Sequence, residues 1–568
     1  MRGVEVSRLA SLPEGLLRRC QRNPEEIIAW HRQEEHFVSI SAGDFAEKVR
    51  RRARGLQKLG VRKGDRVVLM APNSVDWAIL DFAILAIGAL TVPLYPSLGI
   101  REIHYILGDC SPSLILLHNQ EIYERLGAEG WGLPSERILL QETFGNLSSW
   151  DRLEAQGALE KEWVPPELDR NDLASIVYTS GTTGWPKGVM LRHGNFLSNL
   201  EGFLPLVPLV PGQRLLSILP LSHVFERATT HFAGYLLGLE VAYAERPDTV
   251  LRDLAQVHPD ILIAVPRVFQ LLYERLLRGL EDRPDWMGRF LRRGLGLAGS
   301  RPRAWQQFLS SRIVRRQLRK RLGGRLGYFV SGGAPLDPHI AQFFLDVGLP
   351  IVEGYGMTEA SPVIAANPLS AIHPGTVGKP LPNLQLQIAA DGEILVRGPS
   401  VMVGYWNNEQ ATREALVDGW LHTGDVGSLD SDGYLRVIER KKELIINSAG
   451  ENIAPQKLEM RLCSQPLIAQ AVVFGDRQPF LVALIYPNAE QVEKILGPHP
   501  NESELRRALQ GAIQQALGDL PSFEQIRRFA LLPEALSEST GTLTPTLKVR
   551  RKEVAKRYAQ LLAQLQRS

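Results

Sequence analysis

Between Tyr178 and Met190 the chain reads YTSGTTGWPKGVM. Thr179, Ser180, Thr182 and Thr183 supply four hydroxyls, Gly181 and Gly184 two glycines, and Lys187 the one cation of the loop. Glycines let a backbone approach a ligand closely, while hydroxyls and bare N–H groups give donors without bulk. A lysine adds a mobile point charge suited to phosphate. This combination predicts a polyphosphate clamp. A plain Gly/Ser/Thr connection is the competing reading, and the hydroxyl density around a lone lysine speaks against it. The Walker pattern G-x-x-x-x-G-K-[ST] cannot be laid on these residues, so another kind of nucleotide chemistry is implied.

Three further positions could do chemistry. His223, in LPLSHVFERA, falls just past an expected strand end, where open α/β sheets gather ligands, although a histidine there also serves as a structural hydrogen-bonder. Asp425 stands in a Thr-Gly-Asp turn, where its carboxylate could take two neighbouring hydroxyls or simply shape the turn. Lys548, in GTLTPTLKVRRK, sits in a turn-rich segment ahead of a terminal basic helix.

The elements that must position these residues follow from periodicity. Ala174–Val177 reads as a short buried strand feeding the Gly-rich loop. Upstream, Phe45, Val49, Leu56 and Leu59 recur at helical spacing over Ser41–Leu59, with Gly60 closing the helix. A turn at Lys63–Asp65, a strand Val67–Met70, and a cap at Asn73/Ser74 come next. Strands at Leu114–Leu117, Ile138–Leu140, Leu215–Leu219 and Ile261–Val265 keep alternating with helices. YFVSGGAPL gives a strand, a Gly-Gly turn and a proline, Pro335, suited to starting a helix. Such alternation predicts a large layered α/β domain with mostly parallel sheets. From about Lys442 the pattern shifts to short strands and helices, predicting a separate small α+β domain.

Length and composition bound the rest. At 568 residues the chain needs two or more domains, and 44% hydrophobic with 22% charged residues describes a globular protein. A net charge of +3 argues against bulk nucleic-acid binding. Cys20, Cys110 and Cys463 lie far apart without zinc spacing, which predicts reduced thiols and a cytoplasmic location. The N-terminal stretch lacks a signal-peptide core, and the longest charge-free apolar run, Phe82–Pro96, is too short to span a membrane. The one charge anomaly is Arg289–Arg325, with twelve Lys/Arg, no acid, and interleaved Phe290, Leu291, Trp305, Phe308, Leu309, Ile313 and Val314. It reads either as a basic amphipathic helix for an anionic membrane or acidic partner, or as a solvated face.

Together, YTSGTTGWPKGV, YGMTE, GWLHTGD, ERKKELI and the final lysine resemble the adenylate-forming (AMP-binding) superfamily over nearly the whole chain. VPRVFQ, the basic segment ending in LGGR, SGGAPL and LTPTLKVRR look most like its long-chain fatty-acid–CoA ligases. The resemblance implies ATP-dependent formation of an acyl-adenylate, then a thioester with coenzyme A, with Mg²⁺ as the metal. It implies catalytic roles for Lys187, His223, Glu359 and Lys548, and magnesium ligation by Thr179 and Glu359. The loop Thr179, Ser180, Gly181, Thr182, Thr183, Gly184 and Lys187 would wrap the β- and γ-phosphates. Gly333, Ala334, Glu353, Gly354 and Tyr355 would line the adenine pocket, with Gly356 and Thr358 completing that set. Asp425 would accept the ribose hydroxyls and Arg440 would support ribose and phosphate. It also implies an AMP- and acyl-binding domain over 1–438, a hinge over 439–442 with Lys442 as pivot, and a mobile domain over 443–568 carrying Lys548.

In some bacterial long-chain ligases an aromatic residue four positions after the motif histidine gates the fatty-acid tunnel; here that position is Arg227. HVFER resembles enzymes of which some load acyl carrier protein, so a carrier protein is the alternative acceptor. Only twenty residues follow Lys548, which leaves no room for a carrier domain of peptide synthesis.

Overall fold

The computed structural model describes residues 5–127, 133–145, 147–159, 163–179, 185–244, 249–281, 285–297, 303–448, 450–544 and 548–567. The chain forms two compact units: the larger takes Met1–Gln387, Leu395–Thr423 and Leu429–Arg436, the smaller Ile388–Ile394, Gly424–Ser428 and Val437–Ser568.

Among the described residues, the two largest sheets, of eight and nine strands, lie in the larger unit. One runs in the order Gly404–Tyr405, Lys187–Arg192, Leu173–Thr179, Leu90–Leu94, Arg66–Met70, Leu114–Leu117, Ile138–Leu140, Ser148–Ser149, and is parallel from Leu173–Thr179 onward. Its central strands are mostly apolar and buried on both faces, as parallel strands under helices must be. The other sheet has nine strands, parallel through Ile351–Gly356, Tyr328–Ser331, Ile261–Ala264, Arg214–Ser217, Glu240–Tyr243 and Ile27–Gln33, with antiparallel strands at both ends. The helix Val75–Ala86 touches strands of both sheets and is apolar nearly all round, which suits a helix with no solvent face. Ser74 caps it by accepting Trp77 N–H at 3.0 Å. Asn73, expected to share that cap, instead reaches Ser217 Oγ and the Leu219 carbonyl.

That helix carries one charge inward. Asp81 accepts Arg227 at both oxygens (2.9 and 2.5 Å), His231 Nε2 lies 3.1 Å away, and Thr91 Oγ1 donates at 2.7 Å. Burial alone would raise the Asp81 carboxyl, but the Arg227 charge and His231 outweigh it and hold it below the usual carboxylate range. Arg227 is fully buried in this network, within a π-helical turn Arg227–Phe232, and its Nη1 also donates to Ser175. The position that resembles an aromatic gate is therefore part of the core's charge pairing.

Two expectations are corrected. Pro335 does not begin a helix; Pro338–Val347 begins three residues later, because Asp337 offers the capping carboxylate, accepting His339 N–H at 2.8 Å. The basic segment is two helices, Asp285–Gly294 and Ala304–Arg321. The second buries only the seam Ser310, Val314 and Leu318. At 100° per residue, Trp305, Phe308, Leu309, Arg312, Ile313, Arg316 and Lys320 fall on the opposite side, and all are exposed, Trp305 at 53% and Phe308 at 63%. Among the described residues no helix is long and apolar enough to cross a membrane.

The smaller unit centres on Ile468–Phe474, Leu481–Pro487 and Ile526–Leu531, the first pair antiparallel and the second parallel. Leu481, Ala483 and Ile485 pack with Leu458, Leu462, Leu509 and Ile513, while Val482 and Leu484 pack with Val554, Tyr558 and Leu562. Period-two alternation thus feeds both cores of one small α+β layer.

Candidate active site

In the larger unit the Gly-rich loop is bounded by an antiparallel pair, with Thr179 opposite Lys187 and Tyr178 opposite Gly188. Both ends of the loop are thereby fixed. Ser180, Gly181, Thr182, Thr183 and Gly184 lie outside the described residues. Lys187 Nζ sits 4.9 Å from the Tyr405 ring centroid, within cation–π range. The Tyr405 hydroxyl donates to Glu359 Oε1 at 2.8 Å. Tyr405 is held beside Val189 by the strand pair Gly404–Tyr405 and Lys187–Arg192, and Glu359 by a short helical turn, Thr358–Ala360, after Ile351–Gly356. Lys187 and Glu359, 172 residues apart by their numbers, are so linked through one tyrosine.

Anchoring of the loop extends outward. The Tyr178 hydroxyl donates to Asp109 at 2.5 Å, and Trp185, on the far side of the loop, stacks on Tyr105 at 4.9 Å. Asp109 and Tyr105 share the helix Ile100–Cys110, so one helix braces both flanks.

His223 begins the short helix Val224–Glu226, and its Nδ1 accepts Phe225 N–H at 3.2 Å. A neutral imidazole accepting at Nδ1 carries its proton on Nε2. Beneath it, Glu226 is fully buried, accepts Ser217 Oγ at 2.6 Å, and is pushed up to about 8 by burial. Phe225 lies against Gly332, where a Cβ would come 2.8 Å from its ring, so a larger residue there would push the Phe225 ring aside. This contact joins the His223 segment to the turn containing Gly333 and Ala334. Glu353, on Ile351–Gly356 with Gly354, Tyr355 and Gly356, is also pushed up to about 8 by burial, against a hydrogen bond from the Gly375 backbone. Its Oε1 is buried without a partner among the described residues.

In the smaller unit Arg440 Nε lies 3.2 Å from Asp425 Oδ1, and Asp425 is buried. Lys548 feels both residues. Lys548 is exposed at the surface of the smaller unit; nearby protein and the Arg440 charge draw its pKa below the usual lysine value, while Asp425 and Glu443 oppose that shift. The Lys548 backbone is fixed by Thr544, whose N–H donates to the Lys548 carbonyl at 2.8 Å and whose Oγ1 accepts Lys548 N–H at 3.0 Å.

The structure therefore assembles Thr179, Lys187 and Glu359 in one unit and Asp425, Arg440 and Lys548 in the other. Sequence reasoning missed Tyr405, Asp109, Glu226 and the pair Glu393–Lys441. Tyr405 lies in the short run GYW, and nothing local ties this tyrosine to a glutamate 46 positions earlier.

The AMP-binding enzyme model matches residues 16–406, and the AMP-binding enzyme C-terminal domain model matches residues 442–567. The long-chain-fatty-acid–CoA ligase FadD15 of Mycobacterium tuberculosis is 38% identical, covering 94% of each chain. Long chain acyl-CoA synthetase 7, peroxisomal, of Arabidopsis thaliana is 30% identical, over 93% of this chain and 81% of that one. Among solved structures, the adenylation domain of a carboxylate reductase from Mycobacterium chelonae superposes with a TM-score of 0.81 at 21% identity, covering 98% of this chain and 91% of that one, and so shares the fold. With matching models over both parts and a relative this similar along nearly its whole length, the chain belongs to the AMP-binding enzyme family.

Proposed function

We propose that the chain is a long-chain fatty-acid–CoA ligase, using ATP and Mg²⁺ to make an acyl-adenylate and then a coenzyme A thioester. The observation that carries this reading is the Lys187–Tyr405–Glu359 linkage at the mouth of the Gly-rich loop, in a chain similar end to end to named long-chain ligases.

Thr179 and Glu359 offer hard oxygens suited to magnesium. Tyr405 engages Glu359 Oε1, which would orient this carboxylate to hold the ion together with Thr179. Bound there, the ion would offset charge on the nucleotide phosphates. Lys187 and the loop bind the β- and γ-phosphates. Asp425 takes the ribose hydroxyls with Arg440 beside it, and Glu353 to Tyr355, with Gly333 and Ala334, receive the base. The fatty-acid carboxylate attacks the α-phosphorus, and the bond to the bridging oxygen breaks as pyrophosphate leaves. Two anions meet in this step, so oriented cations matter more than a general base. Lys187 and Lys548 supply them. Coenzyme A sulfur then attacks the acyl carbon and AMP departs, with His223 Nε2–H flanking the carboxylate and the incoming thiol. Residues 439–442 are assigned as the hinge, Lys442 as its pivot, so that Lys548 serves adenylation alone.

The acid and acceptor are tested together by supplying ATP, Mg²⁺ and C8 to C20 acids with coenzyme A or holo-acyl carrier protein, and measuring pyrophosphate, acyl-AMP and thioester. Long-chain acids and coenzyme A should give the fastest turnover. Thioester formed on carrier protein alone would replace the acceptor, and absence of acyl-AMP with every acid would overturn the reading.

The outward face of Ala304–Arg321 supports a second assignment. Exposed Trp305, Phe308, Leu309 and Ile313, followed by Arg312, Arg316 and Lys320, suit an anionic lipid surface, with the aromatics at headgroup depth and the cations over phosphates. We place the protein in the cytoplasm, peripheral on the inner face of the membrane.

A further inference from the structure

Gly424 is gripped from both sides. Its N–H donates to Glu393 Oε1 at 2.9 Å, and its carbonyl accepts Lys441 N–H at 2.8 Å. Lys441 Nζ then reaches back to Glu393 Oε2 at 3.1 Å and to Asp391 Oδ2 at 2.5 Å. A closed ring results: the Glu393 carboxylate, the peptide groups of Gly424, and both backbone and side chain of Lys441. Every member belongs to the smaller unit.

The ring bears on the residue that follows. Gly424 has φ +71° with nothing within 4 Å of a Cβ, so glycine is needed for its left-handed backbone and not for space. That conformation sets the direction in which Asp425 leaves the chain. Arg440, adjacent to Lys441, pairs with Asp425 at 3.2 Å. Two consecutive residues thus hold two consecutive residues, 441 on 424 and 440 on 425. An exposed ion pair contributes little by itself, and the Lys441 and Asp391 side chains are 44% and 52% exposed. Glu393 is 9% exposed, so the inner half of the ring carries the constraint.

We propose that Glu393 and Lys441 are positioning residues that set the Gly424 turn, so that the Asp425 carboxylate meets the 2′- and 3′-hydroxyls of a nucleotide ribose. This rests on reading Asp425 as the ribose acceptor. Carboxylates that aim a ligand-binding group lose function when their supporting partners relax, even without touching the ligand.

The test is the preference for ATP over 2′,3′-dideoxy-ATP, taken as a ratio of kcat/KM in pyrophosphate release by the full-length protein. Wild type should prefer ATP and D425A should not. K441M and E393Q should each lower the preference about 10-fold, while K441R restores most of it and D391N leaves it within about 2-fold. E393Q keeps shape and an acceptor oxygen, so it carries the test should K441M fail to fold. Wild-type preference in K441M and E393Q, alongside its loss in D425A, would overturn the ring's role. Loss in D391N as large as in E393Q would overturn the assignment to the inner carboxylate. Retained preference in D425A would sink the ribose reading beneath it.

Discussion

Glu226 and Glu353 are pushed up to about 8 by burial, so both are neutral in the folded protein at pH 7. A carboxyl whose folded pKa is raised gives stability that is fully present below its unfolded pKa and is lost as pH rises through the folded one. The window here runs from about 4.5 to about 8. E226Q, which cannot ionise and keeps an oxygen for Ser217, should match wild type near pH 4.5 and exceed it by roughly 2–4 kcal/mol at pH 9 in denaturant unfolding. A difference independent of pH would contradict the neutral-acid assignment. Y405F should retain the ring under Lys187 but free Glu359 Oε1, and so raise the Mg²⁺ concentration for half-maximal activity about 10-fold; an unchanged magnesium requirement would disconnect Tyr405 from the metal role. K548A should slow adenylation about 10²–10³-fold, the effect of losing one oriented charge-stabilising donor, and spare thioester formation from pre-made acyl-adenylate. Equal loss in both half-reactions would refute its restriction to the first. At this scale the Gly-rich loop, Asp425 and Lys548 stand out in the sequence because glycine, hydroxyl and charge cluster locally, and their roles rest on the proposed function. Tyr405 and Glu393 do not, because their roles arise from pairings across tens of residues.

Among the elements, the helix Ala304–Arg321 inverts the usual pattern, since its aromatics point away from its buried seam. Arg315 and Arg319 are half-buried, and Arg319 Nε donates to the Leu326 carbonyl. The outward cations are therefore Arg312, Arg316 and Lys320. Replacing those three by glutamine should weaken binding to anionic vesicles about 100-fold, at about 1 kcal/mol each, with turnover of a soluble short acid unchanged. W305A with F308A should weaken binding in high salt as well, because apolar insertion is not screened. Unchanged flotation in both would return the helix to a solvated face. The strand–helix alternation of the larger unit could be read directly, since buried parallel strands are mostly apolar runs. The start of Pro338–Val347 could not, because two prolines compete and only the capping aspartate decides between them.

At the scale of the molecule, the smaller unit has its own two-faced core about Leu481–Pro487, and unfolding should not be a single step. L484A, in a fully buried strand position, should destabilise the transition of that unit by about 2–5 kcal/mol and leave the other in place. One shared transition moving as a whole would mean the units do not melt separately. The division into a large and a small domain was visible as a change of pattern near Lys442. What sequence could not reveal is that two short upstream segments, Ile388–Ile394 and Gly424–Ser428, fold with the smaller unit. Anyone building chimaeras between relatives must therefore reckon with three pieces of chain. A single splice near residue 443 would graft a foreign tail while leaving Glu393, Gly424 and Lys441 from the host, and parental nucleotide selectivity should return only when the inserts at 388–394 and 424–428, with residues 437–442, travel along.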